Sequence, residues 1–340
     1  MRVLITDDSI IMRSIIKEVL SGEDFEIVGE AGNGKLALEL NRRLDPDLII
    51  MDINMPTMNG LEATKAIMEE KPVPIVIFSN EIDTSLSFQA LQYGAMEVIR
   101  KPDIDAFNDP RFLQDFLDTL RAMGRNSPPG TSGRAVQSRT LTAAASPMLE
   151  RRGFDAVVMG ASTGGPIAVR EVLKALPGDF PLGIALVQHI EERFVTGYAS
   201  WLDEETALKV EIAGERDRFE AGRVKVAPGN RHLICRDGAL AHDDGPKVGN
   251  QKPSVDRLFE TAADCHGRRL IGVLLTGMGS DGGAGCAKIV QSGGYTLVQN
   301  EESSLIYGMP KAAVHNGGAS KVLDLEQIAS SLVKLAGGHG

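Results

Sequence analysis

Cysteine is scarce in this chain: its 340 residues carry three, Cys235, Cys265 and Cys286. Three thiols are too few for a disulfide framework, and no Cys-x-x-Cys spacing suggests zinc, so they read as buried thiols in a reducing cytoplasm. No apolar run reaches the ~18 residues that a membrane-spanning helix needs, which excludes insertion in a membrane. The opening MRVLITDDS puts two acids where an export signal needs apolar residues. Positive charge is short as well. Lys and Arg number 36 against 46 Asp and Glu, a formal charge of −10, which argues against a general binder of nucleic acid or anionic membrane. No internal repeat and no helix-turn-helix pattern is visible. What is present is apolar: 43% of the residues are hydrophobic, enough for two ordinary cores, and the length itself suggests two domains.

The first 120 or so residues alternate short apolar runs with helix-length segments. Strands are expected at Val3–Thr6, Glu26–Gly29, Asp47–Met51, Pro74–Phe78 and Glu97–Ile99. Between them lie stretches such as Ile11, Ile15, Ile16, Val19 and Leu20, at helical spacing and followed by Gly22 as a stop. Phe112, Leu113, Phe116, Leu117 and Leu120 mark a closing amphipathic helix. Five short strands alternating with helices read as a doubly wound parallel sheet, whose ligand site lies outside the carboxyl ends of its strands.

The composition then shifts to Pro, Gly, Ser and Thr. From Arg121 to Arg152 there are six arginines and one acid, Glu150. This reads as an interdomain linker, either a plain solvated tether or a basic strip touching an acidic partner. The expected division is 1–123, a linker at 124–151, and a second domain at 152–340. That second domain repeats an α/β pattern, with strands at Ala156–Met159, Leu182–Val187, Leu270–Leu275 and Tyr295–Val298, and a hairpin over RVKVAPGNRHLIC, residues 223–235.

Asp7 and Asp8 directly follow the first expected strand, and Asp52 the third. Neighbouring strands would bring these carboxylates together, and their mutual repulsion calls for a proton or a hard cation; oxygen-only ligands favour Mg²⁺. Ser79 ends the fourth strand and Lys101 the fifth, with Pro102 after it, expected to fix the chain through a cis bond. The chemistry this suits is phosphoryl transfer to Asp52, with Mg²⁺ held by Asp8 and Asp52 and with Lys101 and Ser79 meeting the phosphoryl oxygens.

The Asp-Asp pair, the D-x-x-M-P-x-M-x-G segment from Asp52 to Gly60, Ser79 and Lys101-Pro102 together resemble two-component receiver domains, over the whole of the first domain. Asn59 stands where Asp is commoner, a loop exchange not expected to matter. The resemblance implies a flavodoxin-like fold, phosphorylation of Asp52 by a histidine kinase, and a Mg²⁺ ligand set of Asp7, Asp8, Asp52 and Asn54. The phosphoryl charge is expected to repack Ser79 and aromatic neighbours such as Tyr93.

In the second domain, Gly160-Ala161-Ser162-Thr163-Gly164-Gly165-Pro166 follows a strand and precedes a helix, a glycine-rich turn able to expose one serine. That turn lacks both the Gly-x-Gly-x-x-Gly fingerprint and the lysine of a phosphate loop, which weakens a nucleotide-binding reading. His189 ends the next strand; His232 falls in the hairpin, His242 in a polar loop, His266 near a helix end, His315 late in a helix and His339 in the tail. Asp281 follows a third strand within TGMGSDGG, at a helix start whose N–H groups would keep it ionised. Strand-end Ser162, His189 and Asp281 suit a hydrolytic triad, with backbone donors at the glycine-rich turns, Met278 N–H among them, as an oxyanion hole. The order Ser–His–Asp departs from the α/β-hydrolases.

GASTGGP, QHI, VAPGNRH, KPSVDRLFETAA, LLTGMGSDG and EESSLIYGMPKAA resemble the catalytic domain of chemotaxis protein-glutamate methylesterases, the CheB family, in order and across about 190 residues. Gln251-Lys252 departs from the usual His-Arg, which bears on substrate contact. The resemblance implies an α/β domain with a mostly parallel sheet, catalysis by Ser162, His189 and Asp281, and Thr163 and Met278 lining the site. It further implies demethylation and deamidation of glutamyl and glutaminyl side chains on cytoplasmic chemoreceptor helices, without a cofactor for the esterase step. An unphosphorylated receiver domain is expected to block the Ser162 cleft, so residues 152–340 alone should outpace the whole chain. The alternatives are a response regulator with a non-catalytic ligand-binding output domain and a serine esterase acting on small molecules.

Overall fold

The computed structural model describes residues 1–79, 84–101, 107, 109–125 and 153–337. The chain divides into two compact units, Met1–Arg139 and Thr140–Gly340. Most of the expected linker, residues 126–151, lies outside the described residues, as do Pro102 and its peptide bond and His339.

The first unit runs β1 (Arg2–Thr6), α1 (Ile10–Leu20), β2 (Glu26–Ala31), α2 (Gly34–Leu44), β3 (Leu48–Met51), α3 (Gly60–Glu70), β4 (Ile75–Ser79), α4 (Thr84–Gln92), β5 (Glu97–Arg100) and α5 (Pro110–Gly124). Its five strands form one sheet in the order β2-β1-β3-β4-β5, parallel throughout. Leu48, Ile49, Ile50 and Met51 are all buried, the continuous apolar run of a strand covered on both faces. The closing helix arrives as expected, with Phe116, Leu117, Leu120 and Met123 buried. The order of connections reverses between β1 and β3, and the loops after these two strands therefore share one crevice.

The second unit comprises β6 (Ala156–Ala161), α6 (Gly165–Lys174), β7 (Gly183–Gln188), α7 (Glu192–Glu205), β8 (Lys209–Ile212), β9 (Arg223–Val226), β10 (His232–Arg236), β11 (Ala239–Asp243), α8 (Val255–His266), β12 (Leu270–Leu274), α9 (Gly283–Gln291), β13 (Tyr295–Gln299), α10 (Met309–His315), β14 (Lys321–Leu323) and α11 (Leu325–Leu335). Seven strands form a sheet in the order β14-β13-β12-β6-β7-β9-β8, every pairing parallel. β6 and β7 are buried along their whole length.

The hairpin is displaced from its expected place. β9 has β7 on one edge and β8 on the other, so no edge is free for β10 to pair with it. β10 instead turns back on β11 in a separate antiparallel pair. The turn is Asp237-Gly238, both left-handed with φ 53° and 75°, the backbone that a two-residue type I′ hairpin demands and that Asp-Gly favours. His242 accordingly sits in β11 rather than in a loop. The two edge strands β8 and β14, only four and three residues long, escape the hydrophobic pattern.

Candidate active site

At the switch point of the first sheet, Asp7 and Asp8 leave β1 and Asp52 leaves β3. Asp7 and Asp52 are buried and Asp8 is exposed, and one carboxylate oxygen of each lies within 4.8 Å of the others. Lys101, just past β5, reaches over them, its Nζ 2.6 Å from Asp7 Oδ2 and 3.0 Å from Asp52 Oδ2. Burial pushes the Asp52 carboxyl above its ordinary value; the Lys101 ammonium pulls it down and the Asp7 charge adds to the push. Three oxygen donors and a surplus of negative charge at the mouth of a crevice suit a hard divalent cation. Asn54 lies exposed in the loop after β3. Ser79 closes β4, its side chain outside the described set.

Two residues of the Asp52–Gly60 segment have visible reasons. A Cβ on Gly60 would stand 2.0 Å from the Asp52 carbonyl oxygen, so only glycine lets α3 start against the Asp52 backbone. Asn59 is the N-cap of α3 rather than a loop residue. Its side chain accepts the Glu62 N–H at 2.9 Å while Glu62 accepts the Asn59 N–H at 3.2 Å. This capping box is one that Asn and Asp serve equally well.

In the second sheet, β12, β6 and β7 are consecutive neighbours, and the three triad candidates follow their carboxyl ends. Ser162 is the first residue after β6 and is partly exposed; its N–H donates to the Thr276 carbonyl at 3.0 Å. His189 is the first residue after β7, and its N–H donates to Ala161 at 3.0 Å. Gln188 ties the two turns together, its Nε2 donating to the Ser162 carbonyl at 2.8 Å and to the His189 carbonyl at 3.2 Å. The His189 and Asp281 side chains are both nearly buried, and His189 Nε2 lies 2.8 Å from Asp281 Oδ2. The remaining ring nitrogen, Nδ1, is buried and has no hydrogen-bond partner among the described residues, Ser162 Oγ included.

Asp281 is held by a helix start, but not by the one it precedes. Its Oδ2 accepts the Val255 N–H at 2.7 Å, and its Oδ1 accepts the Asp256 N–H at 2.9 Å and the Ser254 hydroxyl at 2.8 Å. All three donors belong to the start of α8, not α9. Burial works against its charge, yet the His189 hydrogen bond and the N–H groups of Asp256 and Val255 outweigh it and hold the carboxyl below its ordinary range. Asp256 returns the exchange, its Oδ1 accepting the Gly285 N–H of α9 at 2.6 Å. Residues 277–282 carry the Gly-x-Gly-x-x-Gly spacing between β12 and α9, but Asp256 already occupies the helix start where a pyrophosphate would sit.

Thr163 and Met278 flank the serine. The Thr276 hydroxyl donates to the Thr163 carbonyl at 3.1 Å. A Cβ on Gly277 would stand 2.6 Å from Ser162 Cβ, so this loop rests directly on the serine. The Gly277 carbonyl accepts from Gly308 and Met309 at 3.1 and 2.9 Å. A trans peptide points its C=O and N–H in opposite directions, so the Met278 N–H turns away from those two donors. Sequence reasoning missed Gln188, Ser254 and the start of α8. The Ser-Val-Asp run at 254–256 was readable as a helix start, but not what that start would hold.

The model of the CheB methylesterase family matches residues 157–332, and that of the response regulator receiver domain residues 3–108. A protein-glutamate methylesterase/protein-glutamine glutaminase of Anaeromyxobacter dehalogenans is 41% identical over 98% of this chain and 96% of its own. One of Geobacter metallireducens is 37% identical over 98% and 99%. The crystal structure of the Thermotoga maritima CheB methylesterase catalytic domain, 34% identical, covers 54% of this chain and 98% of its own with a TM-score of 0.52. With a receiver sheet ahead of a parallel-stranded domain that gathers Ser162, His189 and Asp281 at one edge, the chain belongs to the CheB methylesterase family.

Proposed function

We propose that residues 152–340 hydrolyse methyl esters of glutamyl side chains on cytoplasmic chemoreceptor helices, and deamidate glutamines there, under control of a receiver at 1–123. The observation that carries this reading is the buried His189–Asp281 pair beside Ser162, with one imidazole nitrogen left without a partner among the described residues. An ionised carboxylate only accepts, so Nε2 carries the ring proton and Nδ1 the lone pair. Nδ1 takes the Ser162 proton as Oγ attacks the ester carbon, and Asp281 stabilises the imidazolium. The Met278 N–H meets the developing oxyanion, a contribution of about 3 kcal/mol for a donor of this kind. Nδ1–H then protonates the departing methoxide oxygen, which leaves as methanol. Water, deprotonated by the same nitrogen, attacks the acyl carbon, and Nδ1–H returns the proton to Ser162 Oγ as the glutamate is released. An amide follows the same course but must gain a proton at nitrogen before it leaves, which Nδ1–H supplies.

In the receiver, Asp7, Asp8 and Asp52, with Asn54, would hold Mg²⁺, which when bound offsets the charge that a phosphoryl group brings. Asp52 is the acceptor and Lys101 the group that meets the phosphoryl oxygens; a cytoplasmic histidine kinase is the donor.

Methanol release from methylated receptor membranes, with and without acetyl phosphate, tests the esterase, alongside labelling by a fluorophosphonate. The expected result is methanol release raised by the phosphodonor and a label located on Ser162. Nucleotide binding without labelling, or hydrolysis of small esters alone, overturns it. Radiolabelled acetyl phosphate should mark the wild-type chain, but neither Asp52→Asn nor the wild type after chelation of divalent cations; label persisting in Asp52→Asn would assign the acceptor elsewhere.

A further inference from the structure

Beyond Asp281 the hydrogen bonds continue through Ser254 to His232. His232 on β10 is 1% exposed. Its Nδ1 accepts the Ser254 N–H at 3.2 Å, and its Nε2 lies 3.0 Å from the Pro246 carbonyl oxygen. A carbonyl can only accept and an N–H can only donate, so this ring is neutral, with its proton on Nε2. Ser254 is wholly buried and equally committed. Its Oγ accepts the Arg257 N–H at 3.3 Å as the N-cap of α8, and its hydroxyl proton goes to Asp281 Oδ1 at 2.8 Å.

Capping a helix uses only part of this arrangement. An N-cap serine needs the lone pair of its hydroxyl, not the hydrogen, which here is spent on the carboxylate. In a capping box the N-cap N–H is accepted by a Glu or Gln three residues on. In this chain that position is Arg257, which has no acceptor, and His232 takes the role from another strand. Every bond along His232, Ser254, Asp281 and His189 therefore has one allowed direction.

We propose that His232 and Ser254 are positioning residues for the hydrolysis. His232 fixes the Ser254 backbone, and the Ser254 hydroxyl orients the carboxylate that sets the tautomer of His189. The inference rests on the esterase reading of Ser162, His189 and Asp281.

Steady-state methanol release by the phosphorylated full chain on methylated receptor membranes tests it, with thermal unfolding of each variant measured in parallel. Ser254→Ala removes a hydrogen bond to a charged group and should lower kcat about ten- to hundred-fold with KM unchanged. Should that variant not fold, Ser254→Gly carries the same test, since glycine serves as an N-cap without a hydroxyl. His232→Asn sets an amide oxygen near the former Nδ1 and keeps the Ser254 N–H paired; His232→Gln reaches instead toward the former Nε2 and leaves it unpaired. Both lose the ring, yet the Asn variant should retain the greater share of kcat. Equal losses in the two His232 variants, or full kcat without the Ser254 hydroxyl, overturn the proposal. A wild-type chain that releases no methanol would instead count against the esterase reading itself.

Discussion

Asp281→Asn is expected to lower kcat for ester hydrolysis by about 10⁴-fold, the loss that the same exchange brings in a serine protease. The reason lies in which oxygen accepts from what. Oδ1 takes a hydroxyl and an N–H, from Ser254 and Asp256. Oδ2 takes the Val255 N–H and the His189 ring. Each oxygen has one fixed N–H donor and one partner able to change its role, the Ser254 hydroxyl or the imidazole; with the amide nitrogen on the Oδ2 side it meets the imidazole. It then donates to His189 Nε2 and drives the ring proton to Nδ1, the nitrogen that in the proposed mechanism receives the Ser162 proton. The Val255 N–H loses its acceptor, a cost of about 1–3 kcal/mol in stability, so the variant should still fold. Methanol release measured beside thermal unfolding checks both halves. A folded variant less than ten-fold impaired would remove His189–Asp281 from the mechanism.

Asp256→Asn should act in the opposite direction, on stability, and only above mildly acidic pH. Burial lifts the Asp256 carboxyl from 3.8 to about 6, with the neighbouring Asp281 charge adding to the rise and the Gly285 N–H opposing it. A folded-state value above the unfolded one means that the fold favours the protonated form. The associated stability is therefore present in full below 3.8 and lost as the pH rises through about 6. At one pKa unit per about 1.4 kcal/mol, the ionised side chain costs the fold on the order of 2–3 kcal/mol at neutral pH. An Asn keeps an oxygen for the Gly285 N–H and carries no charge. The variant should accordingly unfold at a higher temperature than the wild type at pH 8, with the gap closing as the pH falls toward 4. An equal or lower unfolding temperature at pH 8 would show that the Asp256 charge is not the burden described.

Much of this molecule was legible because its chemistry sits at strand ends. The buried strands β1, β3, β6 and β7 announce themselves as unbroken apolar runs, and the residue after each run lies at the carboxyl edge of a parallel sheet. Asp7, Asp52, Ser162 and His189 could be found that way. The capping pair of Asn59 and Glu62 is just as local, within a single helical turn, although Asn59 reads from sequence as a loop residue. Where the pattern misled, pairing was decided at a distance. The run at 223–235 has the strand propensity of a hairpin, but β9 spends both of its edges on β7 and β8, and β10 goes to the strand beyond Asp237-Gly238.

The sequence by itself determined two α/β units, the first of them doubly wound, the acidic crevice around Asp52, and a serine, a histidine and an aspartate at strand ends. These follow from short-range periodicity and from the rule that parallel strands share one catalytic edge. Only the tertiary structure decided what surrounds the aspartate. The starts of α8 and α9 exchange carboxylates, Asp281 onto one and Asp256 onto the other, and His232 comes from β10 to complete the cap of α8. Such partners are 22 to 29 residues apart along the chain. They meet because two helices pack side by side, a relation that no local pattern of residues encodes.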